Sequence, residues 1–173
     1  QVIEIDPMYY KNCLVLSDDF KNDDIKCSFI KMLAAATKRN VETPNLPDII
    51  LKWLLDDSLN VQKSAKDSLD FLNDFENPYL NSAFFDKLLT NISSPGVALS
   101  LSSFPLWYVK VNINKIVEKI CELLNDSNTS IETKSNLLQS TQSISKFTTD
   151  EVIIKILDIG LNDRTITKRG DEG

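Results

Sequence analysis

Histidine is absent from the 173 residues of this chain. With it go the commonest general base, the usual partner of a catalytic serine or cysteine, and a favoured zinc ligand. Glycine and proline are scarce, at 4 and 6, too few for the tight turns of a β-rich fold. The three cysteines, Cys13, Cys27 and Cys121, make no Cys-x-x-Cys pair and are odd in number. They read as buried free thiols of a reducing compartment rather than as a disulfide frame. Basic charge is in deficit too: 19 Lys and Arg stand against 25 Asp and Glu, a net charge of −6. Nucleic-acid binding needs clustered cations to meet phosphates, so no nucleic-acid partner is expected. The small group Lys31, Lys38 and Arg39 does not change that. No apolar run approaches the ~20 residues of a membrane-spanning helix, and no signal-peptide pattern opens the chain.

Catalytic signatures are also missing. There is no GxxxxGK[ST], no GxGxxG and no GxSxG, the spacings that cradle phosphates, bind dinucleotides or present a nucleophilic serine. The acidic pairs Asp18-Asp19, Asp23-Asp24 and Asp56-Asp57 lack the alternating ligands and central glycine of a calcium loop. They read as turns or caps. The sequons at Asn91 and Asn128 are ordinary in a chain rich in Asn and Ser. The expectation is a non-enzyme with no catalytic residue, no bound metal and no cofactor.

What the chain does have is a repeat. Ile25, Val61, Val97, Ile131 and Ile166 each follow a short polar or turn-rich stretch, at intervals of 36, 36, 34 and 35 residues. Self-similarity at that period is the sequence signature of helical-hairpin solenoids. Apolar residues at three- and four-residue spacing predict the helices: Asp24 to Lys38, Leu46 to Asp56, and a run through Val61, Ala65, Leu69 and Leu72. A third pair uses Phe84 to Leu89 and Val97 to Phe104, with Pro105 ending or kinking the latter. A fourth carries Ile113 to Leu124 and Ile131 to Ile144. Thr149-Asp150 caps a last helix through Ile159, with Gly160 near its end. The fold class is all-α, a HEAT- or armadillo-like α-solenoid of about four and a half helical hairpins. Residues 1–173 form one helical-repeat segment, and the unpaired final helix and the absence of Met at Gln1 suggest a piece of a longer chain.

Asp57 and Asp126 are expected as structural caps, since a carboxylate at a helix start accepts orphan N–H bonds. Residues 162–173 read as a polar inter-helix loop. Trp107-Tyr108 follows a proline at a helix junction and is read two ways, as a partly exposed partner contact or as core.

Several residues resemble those of the tubulin-folding cofactor D family. The tail Leu161 to Gly173 is similar to a signature in which an Asp-Tyr-Thr stretch leads into Arg-Gly-Asp-Val-Gly; here Arg169-Gly170-Asp171-x-Gly173 carries the match. Val97 to Pro105 is similar to that family's Ala-Leu-Gly-Ala-Leu-Pro segment. Val61 to Leu69 fits the helix before it, and Trp53 matches a Trp-rich helix further upstream. The resemblance runs from about Leu46 onward. Arg164 stands where the family has an aromatic and Glu172 where it has an apolar residue, divergence that would suit a fungal member. The resemblance implies a large tubulin chaperone, cytoplasmic and cytoskeleton-associated. Its implied partners are β-tubulin, tubulin cofactors C and E and an Arf-like small GTPase, and its work is assembly and disassembly of the αβ-tubulin heterodimer. Arg164, Lys168, Arg169 and Asp171 become partner-binding candidates, against the alternative that Arg169 and Asp171 pin the turn and cap the next helix. Two other functions stay open: a generic HEAT-repeat scaffold for transport, proteasome assembly or microtubule binding, and a GTPase-activating element with Arg164 or Arg169 as an arginine finger.

Overall fold

A computed structural model describes residues 20–73 and 77–162. Among these the regular structure is helical, with no strand. The chain divides into two compact units, Gln1–Tyr79 and Leu80–Gly173.

In the first unit, α1 spans Asp23–Lys38. Asn22 starts it, its Oδ1 accepting from the amides of Asp24 (2.8 Å) and Ile25 (3.2 Å). Asp23 and Asp24 in the first turn and Lys38 in the last match the helix dipole at each end. Asn40, at φ 61°, takes the left-handed turn that Asn tolerates and releases the chain toward α2, Leu46–Leu54. A hydrogen bond of 2.7 Å between the buried hydroxyls of Thr37 and Thr43 ties this link. Then α3 spans Leu59–Asn73. It packs on both α1 and α2. Ile30, Leu33, Leu46, Ile50, Leu54, Val61, Ala65, Leu69 and Leu72 are all fully buried, with Trp53 at 1% exposure.

The second unit holds α4 (Ser82–Thr90), α5 (Pro95–Ser100), α6 (Leu106–Asn125), α7 (Ile131–Ile144) and α8 (Asp150–Asn162). Short 3-10 turns follow α5 at Leu101–Ser103 and α7 at Ser145–Phe147. Helix α5 lies on α7 and α6 on α8, while α7 also touches α6 and α8. Polar side chains of α7 hold the first of these pairings. Thr133 Oγ1 donates to the Ser93 carbonyl (2.9 Å), Asn136 Nδ2 to that of Pro95 (2.9 Å), and Ser140 Oγ to that of Ala98 (3.2 Å). In the first unit Ser64 Oγ donates to Cys27 O across α1 and α3 (3.4 Å).

The pairings α1–α3 and α5–α7, each within one unit, join helices one sequence period apart, which is compatible with an α-solenoid. The repeated apolar residue itself is not a constant core position. Val61 and Val97 are fully buried, whereas Ile25 is 50% and Ile131 40% exposed. Ile131 opens α7, while Val61 and Val97 stand third in their helices. The third position of α7 is the buried Thr133. The period therefore marks the turns more faithfully than the core.

Boundaries move where proline acts. The helix expected through Phe104 ends at Ser100, and Phe104 and Pro105 are extended. With its φ near −67°, Pro105 is shaped to precede a helix, so α6 begins at Leu106 rather than near Ile113. Gly160 lies near the end of α8, as expected, but two residues short of its last residue Asn162, so it does not itself stop the helix. A Cβ there would stand 2.6 Å from Leu138 Cδ1 and Cδ2, so the missing side chain lets α8 approach α7.

The two expected caps are corrected. Asp57 is exposed and takes no part in its turn's hydrogen bonds. Asp56 does that work: its Oδ1 accepts from the Ser58 amide (2.9 Å), its Oδ2 from Lys26 Nζ (2.6 Å), and its carbonyl from Gln62 Nε2 (2.7 Å). Asp126 sits at the C-terminal end of α6, its Oδ1 accepting from the Asn128 amide at 2.9 Å. The cap of α7 is Ser130, whose Oγ accepts from Thr133 N at 3.1 Å. In both turns the carboxylate serves the bend, where Asp mimics a backbone turn, and at α7 the helix itself is capped by Ser130.

Candidate interaction surface

Among the described residues, α6 opens on two exposed large apolar side chains. Pro105 begins the helix without a side-chain cap, so Leu106, Trp107 and Tyr108 form its first turn. A helix turns about 100° per residue, and the three consecutive side chains fan out in different directions. Tyr108 turns inward and is 1% exposed, while Leu106 and Trp107 turn outward at 65% and 50%. One turn on, Val111 is 80% exposed, extending the apolar strip along the helix.

Behind the strip the packing is dense. The Phe85 ring, 1% exposed, meets Phe84, Phe104, Trp107 and Tyr108 at centroid distances of 5.1, 5.3, 5.8 and 5.4 Å. Three of these contacts are edge-to-face, the arrangement favoured by ring quadrupoles. Trp107 also meets Tyr108 edge-on at 5.9 Å. Its indole is thus held by one face of the cluster while the other side is open.

A polar bracket locks the first turn of α6 to α4. Tyr108 Oη donates to Asp86 Oδ1 at 2.8 Å, and Lys115 Nζ donates to the same oxygen at 3.0 Å. The hydrogen bonds from Lys115 and Tyr108 hold the Asp86 carboxyl below its usual range. Burial, aided by the anionic acceptor, raises the Tyr108 phenol well above its usual value. Tyr108 therefore remains a neutral donor at physiological pH, suited to positioning rather than proton transfer.

Of the partner-binding candidates, Trp107 is presented to solvent and Tyr108 is built into the core beside it. Sequence reasoning joined the two because they are adjacent, and helix geometry separates them. Leu106 and Val111 are not singled out by spacing, because Leu and Val at helical intervals look alike whether covered or exposed. Arg164, Lys168, Arg169 and Asp171 lie outside the described residues, as does most of the 162–173 loop. Elsewhere in the second unit, a groove of about 960 Å3 runs between the α6–α7 turn and α8, with Leu124, Ile131, Ile154 and Ile159 on its walls. Among the described residues no group of three Cys, Asp or Glu side chains is placed to hold a metal ion. No described helix is long and apolar enough to cross a membrane. No family model, curated protein or solved structure matches this chain.

Proposed function

We propose that this chain is a protein-interaction scaffold of stacked helical hairpins, and that its client is tubulin, as a segment of a tubulin-folding cofactor D protein. The observation that carries the scaffold reading is the outer strip of α6. Leu106, Trp107 and Val111 expose large apolar side chains while Phe85 and the Tyr108–Asp86–Lys115 bracket fix the helix beneath them. Rigid aromatic anchors at a surface are what protein interfaces use as hot spots, because little side-chain entropy is lost on binding. The helix pairings one period apart support a repeat architecture, in which a curved wall of helices holds a folded client by distributed contacts.

The tubulin reading is supported by the sequence resemblance: Arg169-Gly170-Asp171-x-Gly173, the Val97 to Pro105 segment and the helices before it. On that reading β-tubulin is the client, cofactors C and E and an Arf-like small GTPase are the co-workers, and the setting is the cytoplasm beside the cytoskeleton. Tubulin pulldown on the immobilised chain tests it, with cofactor E and its small GTPase offered separately. Capture of tubulin over unrelated acidic proteins supports the reading. Absence of tubulin and of both cofactors sinks it, and leaves the generic helical-repeat scaffold.

A further inference from the structure

A second surface, in the first unit, differs from the α6 strip in charge and shape. Between α1 and α3 lies a notch of about 290 Å3, lined by Lys31, Ala34, Ala35, Asp67, Ser68 and Phe71. Ala34 and Ala35 leave the floor low because alanine fills so little of the space between the helices. Phe71 forms one wall and is 45% exposed, a large apolar side chain left half in water beside a gap. Lys38 Nζ stands 4.1 Å from the centre of its ring, a cation–π contact at the rim.

The charge around the notch runs against that of the chain as a whole. Lys31 and Lys38 are seven residues apart on α1 and so share a face. Both are exposed, and neither has a carboxylate partner among the described residues. Lys63, also exposed, precedes Asp67 by one turn on α3. Lys66 is taken by Asp70, and among the described residues lining the notch Asp67 is the acidic one. A protein of net charge −6 thus carries two lysines, Lys31 and Lys38, beside an apolar depression.

We propose that this notch is a docking site for an acidic peptide segment bearing one large apolar side chain. The apolar group would sit on Ala34 and Ala35 against Phe71, and flanking carboxylates would meet Lys31 and Lys38. Apolar burial supplies the anchor, and the cations supply orientation and a faster encounter. The proposal deepens the scaffold reading by naming a partner chemistry, and it does not depend on the client being tubulin.

The test is fluorescence anisotropy of the full chain with a labelled peptide of glutamates around one central phenylalanine. Two control peptides replace the glutamates by glutamine or the phenylalanine by alanine. Lys31→Glu/Lys38→Glu and Phe71→Ala are exposed substitutions, and unchanged helical circular dichroism and melting show that each variant is folded. Binding of the glutamate–phenylalanine peptide should weaken about tenfold or more in either variant, and both control peptides should bind as poorly. Equal binding of the glutamine peptide would overturn the proposal, as would no measurable binding at millimolar peptide. So would binding that survives Lys31→Glu/Lys38→Glu but is lost in Trp107→Ser. Because no tubulin is present, any of these failures leaves the tubulin pulldown to stand or fall separately.

Discussion

Replacing Asp56 by Asn should destabilise the first unit, whereas the same change one residue later should do almost nothing. The Asp56 side chain makes a charge-assisted bond of 2.6 Å to Lys26 and accepts the Ser58 amide at 2.9 Å. Asparagine keeps an oxygen for Ser58, so the turn survives and the loss falls on Lys26. A hydrogen bond between charged groups contributes about 1.5–3 kcal/mol when protected. Here Lys26 and Asp56 are 17% and 16% exposed, and Asp23 stands 4.0 Å from Lys26 as a partial substitute. These offsets bring the expected cost to about 1–2 kcal/mol. Asp57 is exposed and makes none of these bonds, so Asp57→Asn should stay within about 0.5 kcal/mol.

The cost should also depend on pH. Burial pushes the Asp56 carboxyl up, but the Lys26 and Ser58 hydrogen bonds and the charges of Lys26 and Lys52 outweigh it, and the net shift is downward. A depressed carboxylate contributes stability that is full above its unfolded value, about 3.9, and lost as pH falls through the folded value. The gap between wild type and Asp56→Asn should therefore be full at pH 7 and close in acid. Urea unfolding in a Trp107→Phe background reads this directly, because Trp53 then reports on the first unit alone. Equal penalties at positions 56 and 57, or an Asp56→Asn penalty that persists unchanged below the folded value, would refute the reasoning.

Phe85→Ala removes the centre of the aromatic cluster and should cost about 3–5 kcal/mol in urea unfolding followed by Trp107 emission in a Trp53→Phe background, while Phe85→Leu should cost markedly less. Trp107→Ser keeps the core and should cost under about 1 kcal/mol by thermal melting, since half the ring already lies in water. Gly160→Val should be destabilising by about 1–3 kcal/mol, because its branches meet Leu138 where even a Cβ is too close; the melting midpoint checks it. Arg164→Ala/Lys168→Ala should leave tubulin affinity within about twofold if these residues only shape their loop, and a loss of tenfold or more, about 1.4 kcal/mol, would mark a direct contact.

The helices were legible because their apolar residues recur at three and four positions and their breaks fall at polar turns. Proline was the harder signal. Pro105 reads as a stop, but its fixed φ also makes it a start, and the turns from Leu106 to Asn112 of α6 hold Trp107 and the exposed Val111. The caps mislead because several side-chain oxygens stand in each turn, and spacing alone does not say which amide each one meets. The exposed α6 strip could not be told from core by spacing, because Leu, Trp and Val look alike at helical intervals whether covered or not. The notch beside Phe71 depends on two alanines on one helix facing a phenylalanine thirty-six residues later, a juxtaposition that only the packing of α1 on α3 creates.

We propose that a tubulin client docks on the outer face of α6. The most direct test is the equilibrium affinity of αβ-tubulin for the chain and for Leu106→Ser/Trp107→Ser/Val111→Ser, measured side by side by surface plasmon resonance. Wild type should bind, and the triple variant, equally helical and of similar melting temperature, should bind at least about tenfold more weakly. Tubulin binding that is absent in the wild type, or unchanged in the folded triple variant, would contradict it.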